Sequence, residues 1–545
     1  MDRNRFNNIS LESPFQRYLS TNYIPTDTEI KQIRGNILPD CEVELARLNS
    51  LIQDLTAQRD RVQDYLASHE ALISQARRLP QDILGEIFLA CLPTGGNAVM
   101  SAREAPLLLG HICRAWRSLS FSQRRLWTSL HIAVEIFKSS EGKSGVVEWL
   151  VRSDPLPLTI SVDSHKSTQY SAAIDTLIPL SSRLCTQYSS VIATLIPLSS
   201  RLTALRLSNL RSNEFLALAS VNSPLLTDVH IDFREDIPPA DGARILASNI
   251  FLGTNIQRIA ITSATPRSLI PSTDFAWDHI TDLCIERNPV LSLRTRQLGL
   301  DRMHSLMRGC SRLRFLRIQV QLGANMALSV GTPLLLSSLR ELTIIKSGTK
   351  LDALLQYLNN DLRMPQLSKL HLIDLYPCVG EAITFDRLAD HSPLISDFCF
   401  NVLSFESTAP NIRNLRAFTS LEKLSVVVWA PRYAAQYDVF DKDVIELFST
   451  LTTPDVDNTL PVPFLRELSV EMGDMAEGEW MSFLQYQVDH SPKFQRLHLH
   501  LWREPDADPV DRDRKVRLAQ FRATGLDVSV DYTIYPDEEE AFEDD

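Results

Sequence analysis

Two short spacings in this chain could carry chemistry. His498 and His500 stand two residues apart, so an extended backbone would turn both imidazoles to one face, as a metal site might. No cysteine or third acidic ligand lies beside them in sequence, so no metal is expected there. Cys310 follows His304 by six residues, but in a helical approach to a strand rather than in a nucleophile and base motif. The chain has no G-x-x-x-x-G-K-S/T loop, no G-x-S-x-G elbow and no H-E-x-x-H, and glycine is scarce, 18 residues in 545. These absences predict no catalytic residue, no metal and no cofactor. The expected activity is binding, not catalysis.

Candidates for binding are more numerous, and a repeat places them. The pattern L-x-x-L-x-L recurs from Leu202-Leu205-Leu207 through Leu339-Leu342-Ile344 to Phe494-Leu497-Leu499, mostly at intervals of about 24 to 33 residues. Helical segments at 351–362 and 444–451 lie between strands. Ser-Pro stops at 223–224, 392–393 and 491–492 lead into the next one. A single strand and helix unit cannot cover its own apolar face, so neighbours must stack, with the strands in a parallel sheet on the concave side. Alternation sends the last two leucines of each repeat into the core and the residues between them to the concave surface. On that surface the residues expected to hold a target protein are Arg206, His230, Asp232, Arg258, Asp282, Glu286, Arg317 and His371. Glu341, Lys369, Asp397, Lys423, Glu467 and Arg496 continue the same columns. The signs are mixed, with an acidic patch from Asp228 to Glu286, which suits a protein ligand better than a polyanion. The repeat resembles the leucine-rich-repeat fold, although most copies lack the asparagine that usually follows the strand.

Composition narrows the partners. The formal charge is −12, but the tail PDEEEAFEDD at 536–545 holds seven acids and no base, which leaves the rest of the chain only mildly acidic. Such a tail is expected to be solvated and disordered. No stripe of Lys and Arg interleaved with aromatics is present, so nucleic acid is not an expected partner. The start, MDRNRFNNIS, has no apolar signal core and no run reaches the roughly 20 apolar residues of a membrane span, which predicts a cytoplasmic or nuclear address. Eight scattered cysteines without a C-x-x-C pair read mostly as buried, reduced thiols with no disulfides.

Upstream of the repeats, Leu38, Cys41, Leu45, Leu48, Ile52, Leu55, Arg59, Val62, Leu66, His69 and Ile73 follow alternating steps of three and four. This is a heptad seam with two polar members, Arg59 and His69. It needs a partner helix, either in a second chain, parallel or antiparallel, or elsewhere in this one. Self-association through 38–78 is therefore one expectation. Residues 1–37 are polar, with Pro14 and Pro25, and read as irregular. The stretch Gln169 to Leu184 recurs almost unchanged at Gln187 to Leu202. Because Pro179 and Pro197 oppose one continuous helix, it reads as a duplicated insertion at the solenoid edge.

Between the heptads and the repeats, Pro80 lacks an amide hydrogen and restricts Leu79, so one helix must stop and another begin. Beyond that joint Ile83, Leu84, Ile87, Phe88, Cys91 and Leu92 recur at helical spacing. Leu108, Ile112, Ala115, Trp116 and Leu119 share the face of a second helix, and a third short one carries Leu126, Trp127 and Leu130. At Leu79-Pro80, Ile83-Leu84, Ile87-Phe88, Ile112 to Arg117 and Leu126-Trp127 the chain resembles the F-box family. That resemblance implies a receptor whose Leu-Pro joint and first helix dock on a Skp-type adaptor of a cullin ligase core. The adaptor contacts it implies are Leu79, Pro80, Ile83, Leu84, Ile87, Phe88 and Trp116. The segment Thr94 to Ala105 departs from the family pattern by lengthening the link between the first two helices. Asn22-x-x-Pro25, a heptad helix and Arg77-Arg78-Leu79-Pro80 in that order look like the F-box-like proteins expanded in mushroom-forming fungi. Those often carry a proline shortly before the Arg-Arg-Leu-Pro run. Here Ser74-Gln75-Ala76 has none, which predicts a heptad helix unbroken to Arg78.

The expected architecture is α/β: an irregular segment at 1–37, a heptad helix at 38–78, a small all-α F-box-like module at 79–132, a leucine-rich-repeat solenoid with a parallel concave sheet at 151–532, and an acidic tail at 533–545. The resemblance implies the substrate-recognition subunit of a cullin-based ubiquitin ligase. The alternative is a protein-interaction scaffold, dimeric through the heptad helix, with no ligase role.

Overall fold

Each L-x-x-L-x-L element folds as a strand that pairs in parallel with the next. A computed structural model describes residues 13–73, 75–164, 181–219, 221–235, 237–263, 277–287, 298–322, 333–348, 351–374, 385–401, 415–427, 447–454, 460–473, 477–491, 493–503 and 512–534. Its strands are β1 (Ser129–Ala133), β2 (Leu158–Asp163), β3 (Leu202–Leu210), β4 (Asp228–Phe233), β5 (Arg258–Thr262), β6 (Asp282–Glu286), β7 (Phe315–Leu322) and β8 (Leu334–Leu335). Then follow β9 (Glu341–Gly348), β10 (Leu362–Arg363), β11 (Lys369–Asp374), β12 (Asp397–Asn401), β13 (Lys423–Val427), β14 (Glu467–Gly473), β15 (Arg496–Arg503) and β16 (Asp527–Ile534). Fourteen of them form one parallel sheet in chain order, while β8 and β10 pair apart as a small ribbon. The protein is thus an α/β repeat solenoid preceded by a long helix.

Register explains the packing. Leu205, Val229, Ile259, Leu283, Leu316 and Leu342 stand opposite one another on successive strands, and all are buried. The first leucine of each repeat, from Leu202 through Leu339 to Phe494, is buried as well. A hydroxyl at the next position often secures the turn into the strand. Thr203, Thr227, Thr281, Ser368 and Ser396 each donate to a backbone carbonyl one repeat back, at 3.0 to 3.3 Å.

The sheet starts earlier and ends later than the repeat pattern indicates. Trp127-x-x-Leu130-x-Ile132 has the repeat's spacing with tryptophan in the first position, and all three side chains are fully buried. Leu130 therefore belongs to a strand and not to a third helix, which here is only the tight turn Arg124–Trp127. In β2, Pro157 takes the first position before Ile160 and Val162. In β16 it is Gly525, at φ +96°, a left-handed conformation that disfavours the leucine found elsewhere. The sheet runs from Ser129 to Ile534. Most of the acidic tail lies outside the described residues. So does the first copy of the duplicated stretch before Ser181. The second copy is no bare insertion. It forms the end of a helix, Ser181–Leu195, and the turn into β3, burying Tyr188, Val191, Ile192 and Leu195.

The chain divides into two compact units, Met1–Ile87 and Phe88–Asp545. In the first, α1 (Asp27–Gln32) and a wider turn at Ile33–Ile37 lead into α2 (Leu38–Leu72), so the chain is helical from Asp27 rather than irregular to 37. The signal is Thr26-x-x-Glu29, where the Glu29 carboxylate accepts the Thr26 amide at 2.7 Å. Helix α2 does not run unbroken to Arg78. Its last turn tightens, with the Ile73 amide bonded to the Glu70 carbonyl, and a separate turn at Gln75–Arg78 follows. Helix α3 (Gln81–Ala90) starts past Pro80 in the first unit and ends in the second.

The expected second helix is also split. Cys113 is extended between α4 (Leu109–Ile112) and α5 (Arg114–Ser122), and its sulfur accepts the Trp116 amide at 3.5 Å. Of the six cysteines whose side chains are described, Cys310 and Cys399 are buried and Cys41, Cys91 and Cys113 are exposed, so burial is not their rule.

Candidate functional site

The outward residues of eight successive sheet strands, β2 to β7, β9 and β11, line one cavity of about 680 Å³, which gives that face its concave form. Arg206, His230, Arg258, Asp282, Arg317 and His371 lie in its wall, whereas Asp232 and Glu286 sit outside it in the adjoining column. Pattern reading misses Asn97, Thr159, Ser161 and Phe315, which also line it.

Register sorts the charges. One column runs Asp228, Arg258, Asp282, Phe315, Glu341, Lys369, Asp397, Lys423, Glu467, Arg496, Asp527, so sign alternates from strand to strand except at Phe315. Neighbours pair across the strands: Asp228 with Arg258, Lys423 with Glu467 at 2.6 Å, and Arg496 with Asp527 at 2.8 Å. Glu286 pairs with Arg317. The acidic patch from Asp228 to Glu286 is therefore largely neutralised, since arginines stand against two of its carboxylates. Cross-strand pairs of this kind contribute about 0.2 to 1 kcal/mol each. Their larger effect is to fix side-chain positions.

The next column alternates less, with the Arg317 guanidinium between Cys284 and Thr343. His230, Ala260, Cys284, Arg317, Thr343 and His371 follow one another. Burial, and then the Arg206 charge, push the His230 imidazole down to about 4, and burial pushes the Cys284 thiol up to about 11. Both are neutral near pH 7. They stand two strands apart, about 10 Å, too far for a nucleophile and base. Burial opposes ionisation of Asp397, but His371 at 3.5 Å and Lys369 at 3.8 Å outweigh it, and the carboxyl is held below its ordinary range.

His230 gives the protein a specific acid response. The unfolded chain takes up a proton near the ordinary value of 6.5, while the folded chain does not until about 4. Its contribution is complete above pH 6.5 and lost as pH falls toward 4. The unfolding midpoint should therefore decline over that window, and His230→Asn should flatten the decline. An unchanged slope in the variant would refute this.

The link from Thr94 to Ala105 closes one end of the cavity. Val99 bridges His131 on the outer edge of β1, and the His131 amide donates to the Ala98 carbonyl at 2.7 Å. Asn97 donates to Ser161 at 3.0 Å and accepts from Ser129 at 3.0 Å. The lengthened link thus covers a sheet edge that would otherwise present unpaired backbone groups.

On α3 the seven expected adaptor contacts separate. Leu79, Ile83 and Ile87 are 37%, 49% and 40% exposed and Pro80 is exposed, whereas Leu84 and Phe88 are 7% and 0% exposed. Helical spacing puts the two sets on adjacent strips, one exposed and one buried. Trp116 is half-buried and packs its ring 4.9 Å from that of Phe88.

The histidines of the two sequence pairs are each hydrogen-bonded within the fold. His498 bonds Ser529 at 2.7 Å and lies 3.7 Å from Asp531, and His500 bonds Thr533 at 2.9 Å. Among the described residues no three His, Cys, Asp or Glu are grouped to hold a metal ion. Burial pushes the Cys310 thiol up to about 12, and His304 bonds Tyr357 at 3.0 Å and Arg308 at 3.2 Å. No helix among the described residues is long and apolar enough to cross a membrane.

No family model and no curated protein matches the chain. Among solved structures, the crystal structure of a Rad7 and Elc1 complex in yeast is similar over 87% of this chain and 97% of that one, at 13% identity and a TM-score of 0.30. That overlap is too loose to fix a function.

Proposed function

We propose that the chain is the substrate-recognition subunit of a cullin-based ubiquitin ligase and is itself non-catalytic. One observation carries this reading: the Leu79, Ile83 and Ile87 strip stays open to water on a helix that Leu84 and Phe88 anchor, at the place where the F-box resemblance puts its adaptor contact. Leu79, Pro80, Ile83 and Ile87 then meet a Skp-type adaptor, and Trp116 positions the helix. The cavity at Arg206, His230, Arg258, Asp282, Arg317 and His371 holds the target protein, with Asp232 and Glu286 at its rim. Positioning is the mechanism, because a tethered target meets the conjugating enzyme at a raised effective concentration. Such a complex works in the cytoplasm or nucleus.

The second reading is a protein-interaction scaffold with no ligase role, favoured by the open apolar strip of α2. The recombinant 545-residue chain mixed with a purified Skp-type adaptor separates the two. Co-elution as a stoichiometric complex is expected for the receptor, and separate elution at micromolar concentration overturns it.

A further inference from the structure

Helix α2 is 35 residues long, and none of its described side chains is buried. Leu45, Leu48, Ile52, Leu55 and Leu66, all seam members, are between 40% and 61% exposed. A water-facing strip of this length and period marks an association surface. We propose that it binds a second copy of this chain as an antiparallel coiled coil centred between Ile52 and Leu55.

The direction follows from the two polar members of the seam. In a parallel pair Arg59 would face Arg59, and His69 would face His69, in the same layers. In the antiparallel register that opposes Ile52 with Leu55 of the second copy, 38–69 of each chain overlap. Arg59 then meets Leu48 and His69 meets Leu38. The two Arg59 residues lie eleven residues apart along the axis, about 16 Å, beyond the screening length at physiological salt. Each guanidinium brings its own counter-charge, since Asp60 lies 2.5 Å away on the same helix. The aliphatic stem can lie along the seam while the head stays in water. The overlap is about 48 Å long and about 10 Å wide. That is about 500 Å² of footprint per chain, about 1,000 Å² with both sides counted, the lower bound for a biological interface.

Light scattering on the full chain should return about 123 kDa, twice its 61.6 kDa. Ile52→Asp with Leu55→Asp should return a monomer with unchanged circular dichroism. Leu66→Cys places a thiol in one layer with native Cys41 of the second copy, so a short bismaleimide should join positions 41 and 66 between chains. Within one chain these sit 25 residues apart, about 37 Å along the helix, out of its reach. A monomeric wild type, or a dimer that survives Ile52→Asp with Leu55→Asp, overturns the proposal. So does a Cys41 to Cys41 link, the mark of a parallel pair.

Discussion

Trp127→Ala should cost the protein about 3–5 kcal/mol, a large part of a typical domain's stability. The indole is fully buried. It meets Trp149 edge-on at 4.8 Å, lies under the Arg152 guanidinium at 4.5 Å and donates to the Ser120 carbonyl at 2.8 Å. It also heads the first strand repeat while closing the helical segment before it. In a solenoid each repeat contacts chiefly its neighbours, so the loss should be local. Hydrogen exchange should find protection lost first in β1 to β3, with β13 to β16 retaining theirs. Trp127→Phe should keep most of the packing and lose the bond to Ser120, a cost of about 1–3 kcal/mol. An alanine variant within about 1 kcal/mol of wild type in urea unfolding would contradict the shared-core reading.

Ile83→Asp with Ile87→Asp should weaken adaptor binding at least about 100-fold, as expected when two apolar anchors at the centre of an interface become charged. Stability should move by about 0.5 kcal/mol or less per site, because both side chains face water in the free protein. Leu84→Asp reverses that order, since a carboxylate at a buried position unfolds the helix's anchorage before any partner is present. Titration calorimetry for the first pair and thermal unfolding for the second separate docking from anchoring. If Ile83→Asp with Ile87→Asp binds the adaptor as wild type does, the strip is not the docking face.

Some of this was legible residue by residue. A strand has a period of two, so Leu205 and Leu207 predict that Arg206 faces outward, and the same holds for His230 and Arg317. The strands that were missed broke the leucine pattern, not the spacing: Trp127, Pro157 and Gly525 stand where the first leucine should be. The missed helix start had a local signal in Thr26-x-x-Glu29. The split at Cys113 and the end of α2 at Leu72 had none, because helix ends depend on which backbone groups find partners.

The sequence by itself determined the repeat, the direction of its side chains, the heptad seam and the Leu79-Pro80 joint, all of which rest on local spacing. Only the tertiary structure decided which charges neutralise each other. Asp228 and Arg258 are thirty residues apart in the chain and one strand apart in the sheet. It also decided which strip of α3 is buried, since Leu84 and Ile83 differ in exposure and not in apolar character. The link from Thr94 to Ala105 follows the same logic. Its sequence carries no periodic signal, and its role as the cover of a strand edge exists only once β1 is in place beside it.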